Sequence, residues 1–281
     1  MDLNENTYKG LDQVLDRAIH EIGNLNKFVS LCMQGIHEGT SASEFPRIRR
    51  EIDKLRGLPD PFPTEETYED AVEQGKKLEL FARDEVNYGF PYLLNLASVT
   101  LWGILEAAVD DLSAFLIIVW PACKELQTIR KIKGPLIEFS CASEFEQAEY
   151  LLTELKQSVN ANLKLGCGRF ESLLNPIGLG GSVDETVKRL FLELSQVRNI
   201  VVHKAGKADK RIVESCPWLN LKVADDLKPN YPKFQSYIGA ADWYILEISC
   251  RCCNLTQHPI DPKIPQLKNT ILERITPFQE A

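Results

Sequence analysis

PYLLNLASVTLWGILEAAVDDLSAFLIIVW, residues 91–120, decides the fold class. Its apolar side chains are too many for a single stripe, and a helix of that bulk belongs at the centre of a bundle. The length invites a membrane test. From Val86 to Leu105 there are 20 residues without a charge, about what a spanning helix needs. The run is broken by Asn87, Gly89, Pro91, Asn95, Ser98 and Thr100, and Glu106, Asp110 and Asp111 follow at once. Carboxylates deep in a bilayer are costly. The expectation is a buried helix from about Tyr92 to Val119, stopped near Pro121, in a protein with no membrane segment.

Helical periodicity extends in both directions from this centre. Leu11, Leu15, Ile19, Ile22, Leu25 and Val29 recur at three- and four-residue steps, as in an amphipathic first helix. RIRREIDKLR at 47–56 reads as a short basic helix, ended by the prolines of LPDPFP at 58–63. Thr64 and the acidic residues after it cap a third helix to about Val86. Beyond the centre, 129–139 reads as a connection through Gly134-Pro135. Residues 143–159 read as a helix with Phe145, Ala148, Leu151, Leu152 and Leu155 inward. The glycines of 160–181 read as a break, GLGG at 178–181 included. Ser182 opens a capping-box-like start to a helix over about 183–204, with Val187, Leu190, Leu194, Val197 and Val201 as its stripe and Gly206 as its stop. A last helix spans about 234–255. No alternating strand of useful length is present. The reading is an all-α helical bundle: an N-terminal helical region over 1–88, a main helical domain over 89–256 and a C-terminal tail over 257–281.

The composition agrees. Of 281 residues, 44% are hydrophobic and 26% charged, the balance of a chain that buries a core. The formal charge is −8, from 32 Lys and Arg against 40 Asp and Glu. That argues against a surface that coats nucleic acid everywhere, and leaves room for a local basic site. The start MDLNENTYKG has no basic, then apolar, leader pattern, and the eight cysteines follow no paired framework. Cytoplasmic, reduced thiols are expected. Cys250, Cys252, Cys253 and His258 are metal-ligand types without knuckle spacing, so no metal or cofactor is expected there.

The informative segment is ELSQVRNIVVHKAGKADKR, residues 193–211. Arg198, Asn199 and His203 stand near the end of the amphipathic helix. Asn199 and His203 are four apart and share a face, so the amide is placed to hold the imidazole. Arg198 and His203 lie about 140° apart on an ideal helix. Joint action then calls for a distorted helix or a second subunit. From Thr186 to Arg211, seven cations face two anions, Glu193 and Asp209, a local charge of +5. Such a patch in an acidic protein fits a confined polyanion site, with Lys204, Lys207, Lys210 and Arg211 as candidate RNA-binding residues.

Arg-Asn, three residues, then His on a helix of an all-α protein resembles the signature of the HEPN superfamily. The run SVTLWGILEAAVDDLSAFL, 98–116, is similar to an early core helix of that fold, and the resemblance covers roughly residues 90–255. It implies a metal-independent endoribonuclease, a homodimer with two motifs lining one cleft, acting as a toxin with an antitoxin partner or as an antiviral-defence effector. It implies catalytic roles for Arg198, Asn199 and His203. It also places an acidic residue opposite the motif, matched by Glu106, with Asp110 as its rival. A Tyr two residues after the His marks a subfamily controlled by nucleotidyl transfer; here that position is Ala205. The rival reading is a non-catalytic module that binds nucleotide, RNA or a protein.

Overall fold

The computed structural model describes residues 5–276, apart from positions 121, 122, 124, 126, 132, 133 and 135. The fold is an all-α bundle, and the described residues contain no strand, only one bridge between Lys207 and Asp226. Its main helices are α1 (Glu5–Gly39), α2 (Phe45–Leu55), α3 (Glu65–Asn87), α4 (Pro91–Val119), α5 (Glu144–Ser158), α6 (Cys167–Leu174), α7 (Glu185–Lys204), α8 (Lys210–Ser215), α9 (Tyr231–Thr256) and α10 (Lys263–Ile275). Two short turns of helix, Gln127–Arg130 and Leu136–Cys141, lie between α4 and α5. No helix among the described residues is long and apolar enough to cross a membrane.

Helix α4 is the axis. It packs against α1, α5, α7 and α9, which is why its apolar residues run round most of its circumference. Leu94, Leu101, Leu105 and Leu112 are fully buried. The turn into it is sharp. Gly89 and Phe90 are both left-handed, with φ of 77° and 65°, and Pro91 supplies a first-turn φ at no hydrogen-bond cost. The buried Glu85 carboxylate accepts the backbone N–H groups of Tyr92 (3.1 Å) and Leu93 (3.2 Å), satisfying two orphan donors of α4. The helix ends at Val119; Pro121 and Pro135 lie outside the described residues.

One apolar core runs across residue 88. Leu11, Leu15, Ile22, Leu25 and Val29 of α1 share it with α4, α7 and α9, so α1 is part of the main bundle and only α2 and α3 stand to one side. Ile19, expected inward, is 39% exposed, and Ala18 takes its place in the stripe. Phe145, also expected inward, is 60% exposed, because it stands in the first turn of α5, before that helix meets α4. The expected cap at Thr64 forms a reciprocal capping box, and Ser143 forms another at the start of α5. Helix α7 is capped by Asp184, whose carboxylate accepts the Thr186 N–H at 2.8 Å, rather than by Ser182. Two helices interrupt segments read as unstructured. Helix α6 lies inside the glycine-rich 160–181, and α10, within the expected tail, seats Ile271 and Ile275 against α9.

Helix α7 is tied to α9 through a buried carboxylate. Glu193 accepts hydrogen bonds from Trp218 Nε1 at 3.0 Å and from the Tyr237 hydroxyl at 2.5 Å, and stands 3.2 Å from Lys233 Nζ. Burial, with the Glu193 charge beside it, pushes the Tyr237 hydroxyl well above the usual tyrosine range, so it stays a donor. Glu193 thus faces the core and does not dilute the basic patch.

Candidate functional site

Val187, Leu190, Leu194 and Val197 hold one side of α7 in the core, which leaves Arg198 and Asn199 half-buried and His203 exposed at its end. The helix stays α-helical through Lys204. It stops on two left-handed residues, Ala205 (φ 50°) and Gly206 (φ 78°), whose N–H groups both reach back to the Ile200 carbonyl.

Arg198 and His203 meet within one chain. Arg198 Nη1 stands 3.5 Å from His203 Nε2. The 140° between their Cα positions does not separate their heads, because the arginine stem is long enough to carry its guanidinium round the helix. Neither a broken helix nor a second subunit is needed to bring the pair together. The expected bond from Asn199 to the imidazole is replaced by another: Arg198 Nη1 donates to Asn199 Oδ1 at 3.3 Å. Asn199 orients the arginine.

The pair opens on a cleft of about 400 Å³. Lys164, Arg169, Arg198, Lys204 and Arg211 bring five cations to its lining, against one carboxylate, Asp209. Asp209 is committed to capping α8, accepting the Ile212 N–H at 3.1 Å. Trp102 and Ser195 also line the cleft, and so does Gln196, 1% exposed, whose Nε2 is buried without a hydrogen-bond partner among the described residues. An unmet buried donor is costly, and an acceptor on an incoming ligand would relieve it.

Of the four expected RNA-binding residues, Lys204 and Arg211 line the cleft. Lys207 pairs with Asp226 at 2.5 Å and Lys210 with Glu214 at 3.5 Å, both outside it. Lys164 and Arg169 replace them. They flank Gly166, which allows the close approach that puts them there. Its φ is +53°, and a Cβ at this position would stand 2.8 Å from the Leu192 backbone nitrogen of α7. The Gly166 N–H donates to Ser195 Oγ at 3.2 Å, locking the two elements together. Sequence reading passed over this wall, because glycine punctuation hid an eight-residue helix whose only signal is Phe170, Leu173 and Leu174 on one side.

Glu106 does not line the cleft. It stands behind it, 2.8 Å from Arg169 Nη2, in a smaller hollow shared with Asp110 and Lys156. Arg169 borders both spaces, so Glu106 acts on the cleft through the arginine it holds. Its rival Asp110 is matched by Lys156 at 2.6 Å. Burial pushes the Asp110 carboxyl up, and Lys156 pulls it back.

No group of three or more His, Cys, Asp or Glu among the described residues is placed to hold a metal ion. Cys252 and Cys253 are buried, and burial raises both thiols. His258 stacks on Tyr8 with ring centroids 3.8 Å apart and faces Glu5 at 3.3 Å. No family model, curated protein or solved structure matches the chain.

Proposed function

We propose that the cleft is the active site of a metal-independent endoribonuclease acting on cytoplasmic RNA. The observation that carries this is the convergence of Arg198 and His203, 3.5 Å apart, on the wall of a cleft with five cations, in a chain whose net charge is −8. A phosphodiester backbone is the ligand class such a wall favours. Histidine ordinarily titrates near neutrality and serves as a proton acceptor or donor. In this reading His203 takes the ribose 2′-OH proton as the 2′-oxygen attacks phosphorus. The P–O5′ bond breaks, the 5′-oxygen takes a proton from water, and a 2′,3′-cyclic phosphate and a 5′-OH end result. Arg198, steadied by Asn199, meets the added charge of the phosphorane with its planar fork of donors. The nucleophile belongs to the substrate, which confines cleavage to RNA and requires no metal-bound water.

The test is purified protein with total RNA, with and without EDTA. Cleavage is expected to persist under chelation. His203→Ala should lower it by about 10²–10⁴ and Arg198→Ala by about 10²–10³, with Asn199→Ala milder and circular dichroism melts unchanged. Cleavage by His203→Ala at the wild-type rate, or activity lost to EDTA and restored by Mg²⁺, would overturn the proposal.

A further inference from the structure

Helix α7 carries Gln196 to the lining of the cleft, where its buried Nε2 has no hydrogen-bond partner among the described residues. An apolar side chain of that size would fill the position and leave no donor unmet, so the amide is costly to the free protein. Gln196 and His203 are seven residues apart. They point within about 20° of each other and lie about 10 Å apart along the helix axis. The amide therefore opens on the same cleft two turns before the imidazole, far enough along it to meet a different group of one ligand.

The wall beside Gln196 fixes the chemistry of that group. The Gly166 N–H is pinned to Ser195, the residue before Gln196, and this sets Lys164 and Arg169 at the same end of the cleft. Lys164 is exposed and pairs with no carboxylate among the described residues. Arg169 gives Nη2 to Glu106 at 2.8 Å, and a guanidinium carries five N–H donors, so others remain for a ligand. The Ser195 hydroxyl is spent, accepting from Gly166 and donating to the Leu192 carbonyl. Asp209, the carboxylate of the lining, is spent on the Ile212 N–H. What this end offers is two positive charges and a buried amide N–H. A neutral nucleobase edge would leave both charges unanswered, whereas phosphate oxygens accept from all three groups.

We infer that Gln196, Lys164 and Arg169 form a second phosphate subsite, which takes a backbone phosphate of the same RNA strand, away from the one that Arg198 and His203 attack. The subsite rests on the ribonuclease reading of the cleft and adds a register to it: the strand lies along α7, with the scissile phosphate near the end of the helix and another phosphate about two turns back. Gln196 binds in this arrangement and takes no part in the chemistry.

Isothermal titration calorimetry with two uncleavable probes tests this: 2′-O-methyl tetrauridylate, which has several phosphates, and 2′-O-methyl diuridylate, which has a single one. The wild-type chain is expected to bind the tetranucleotide at least ~10-fold more tightly. Gln196→Met keeps the volume and removes the donor. It should weaken the tetranucleotide by about 10- to 100-fold, the loss of a hydrogen bond to a charged acceptor, and leave the dinucleotide unchanged. Lys164→Ala should also weaken the tetranucleotide alone and reduce the salt slope of its binding by about 1. Circular dichroism melts should place Gln196→Met no lower than wild type, because the donor it loses is unmet in the free protein; an amide with a structural role would cost stability when removed. Equal wild-type affinity for the two probes, a Gln196→Met variant that binds the tetranucleotide as wild type does or loses both probes alike, or a marked fall in its melting temperature would overturn the subsite. The expected binding pattern in a protein that cleaves no RNA upholds the subsite and refutes the ribonuclease. RNA cleavage by the wild type, with Gln196→Met binding both probes unchanged, refutes the subsite alone.

Discussion

Replacing Glu193 by alanine is expected to be among the most damaging single changes in this protein. The carboxylate is almost completely enclosed. It accepts from Trp218 and Tyr237 and faces the Lys233 ammonium at 3.2 Å. Truncation leaves a buried tyrosine hydroxyl, an indole N–H and a half-buried cation without an acceptor. Removing one partner of a buried pair costs about 3–5 kcal/mol. At roughly 2–4 °C per kcal/mol for a chain of this size, the melting temperature should fall by about 6–20 °C. Glu193→Gln keeps an acceptor oxygen and loses the charge, and should cost about 1–3 kcal/mol. Tyr237→Phe removes one donor, at about 1.5–3 kcal/mol, because its acceptor is charged. Residues sharing one network do not add, so the double variant Glu193→Ala/Tyr237→Phe should be clearly less damaged than the sum of the singles. Urea denaturation followed by circular dichroism measures all four. Should Glu193→Ala lie within 1 kcal/mol of wild type, or the double variant be strictly additive, the carboxylate is not the tie between α7 and α9.

Gly166→Ala should destabilise by about 2–4 kcal/mol, because φ is positive there and the new Cβ meets α7 backbone. A change below half a kcal/mol in a denaturation midpoint would contradict that close approach. Asp242, with no cation paired to it among the described residues, has its carboxyl pushed up by burial to about 6. Ionising it in the native state is therefore penalised. Stability it contributes below pH 4 is lost as the pH rises to about 6 and stays lost above. Asp242→Asn should be more stable than wild type at pH 7 by roughly 1–3 kcal/mol and equal to it at pH 4. Equal urea midpoints at both pH values would refute this.

Local physics wrote much of the fold into the chain. The all-round apolar run of α4, the one-sided stripes of α1 and α7, and the cap at Thr64 depend on side chains within a few turns of each other, so the local sequence alone revealed them. So did the motif at Arg198, Asn199 and His203, which occupies two turns of one helix. Other features depend on residues distant in sequence, and only the tertiary structure decided them. Glu193 reads as one anion of the basic patch until Tyr237 and Lys233, some forty positions on, draw it into the core. Arg169 has no marker in its own segment; it joins the cleft because Gly166 lets α6 press on the backbone of α7. Glu106 is on the expected helix but meets the cleft only through Arg169. The helical wheel placed Arg198 and His203 apart because it counts Cα directions. A flexible arginine is positioned by the partners its guanidinium finds, here Asn199 and His203. Helical periodicity specifies which face of an element is buried, while the position of a charged head depends on the chain folded around it.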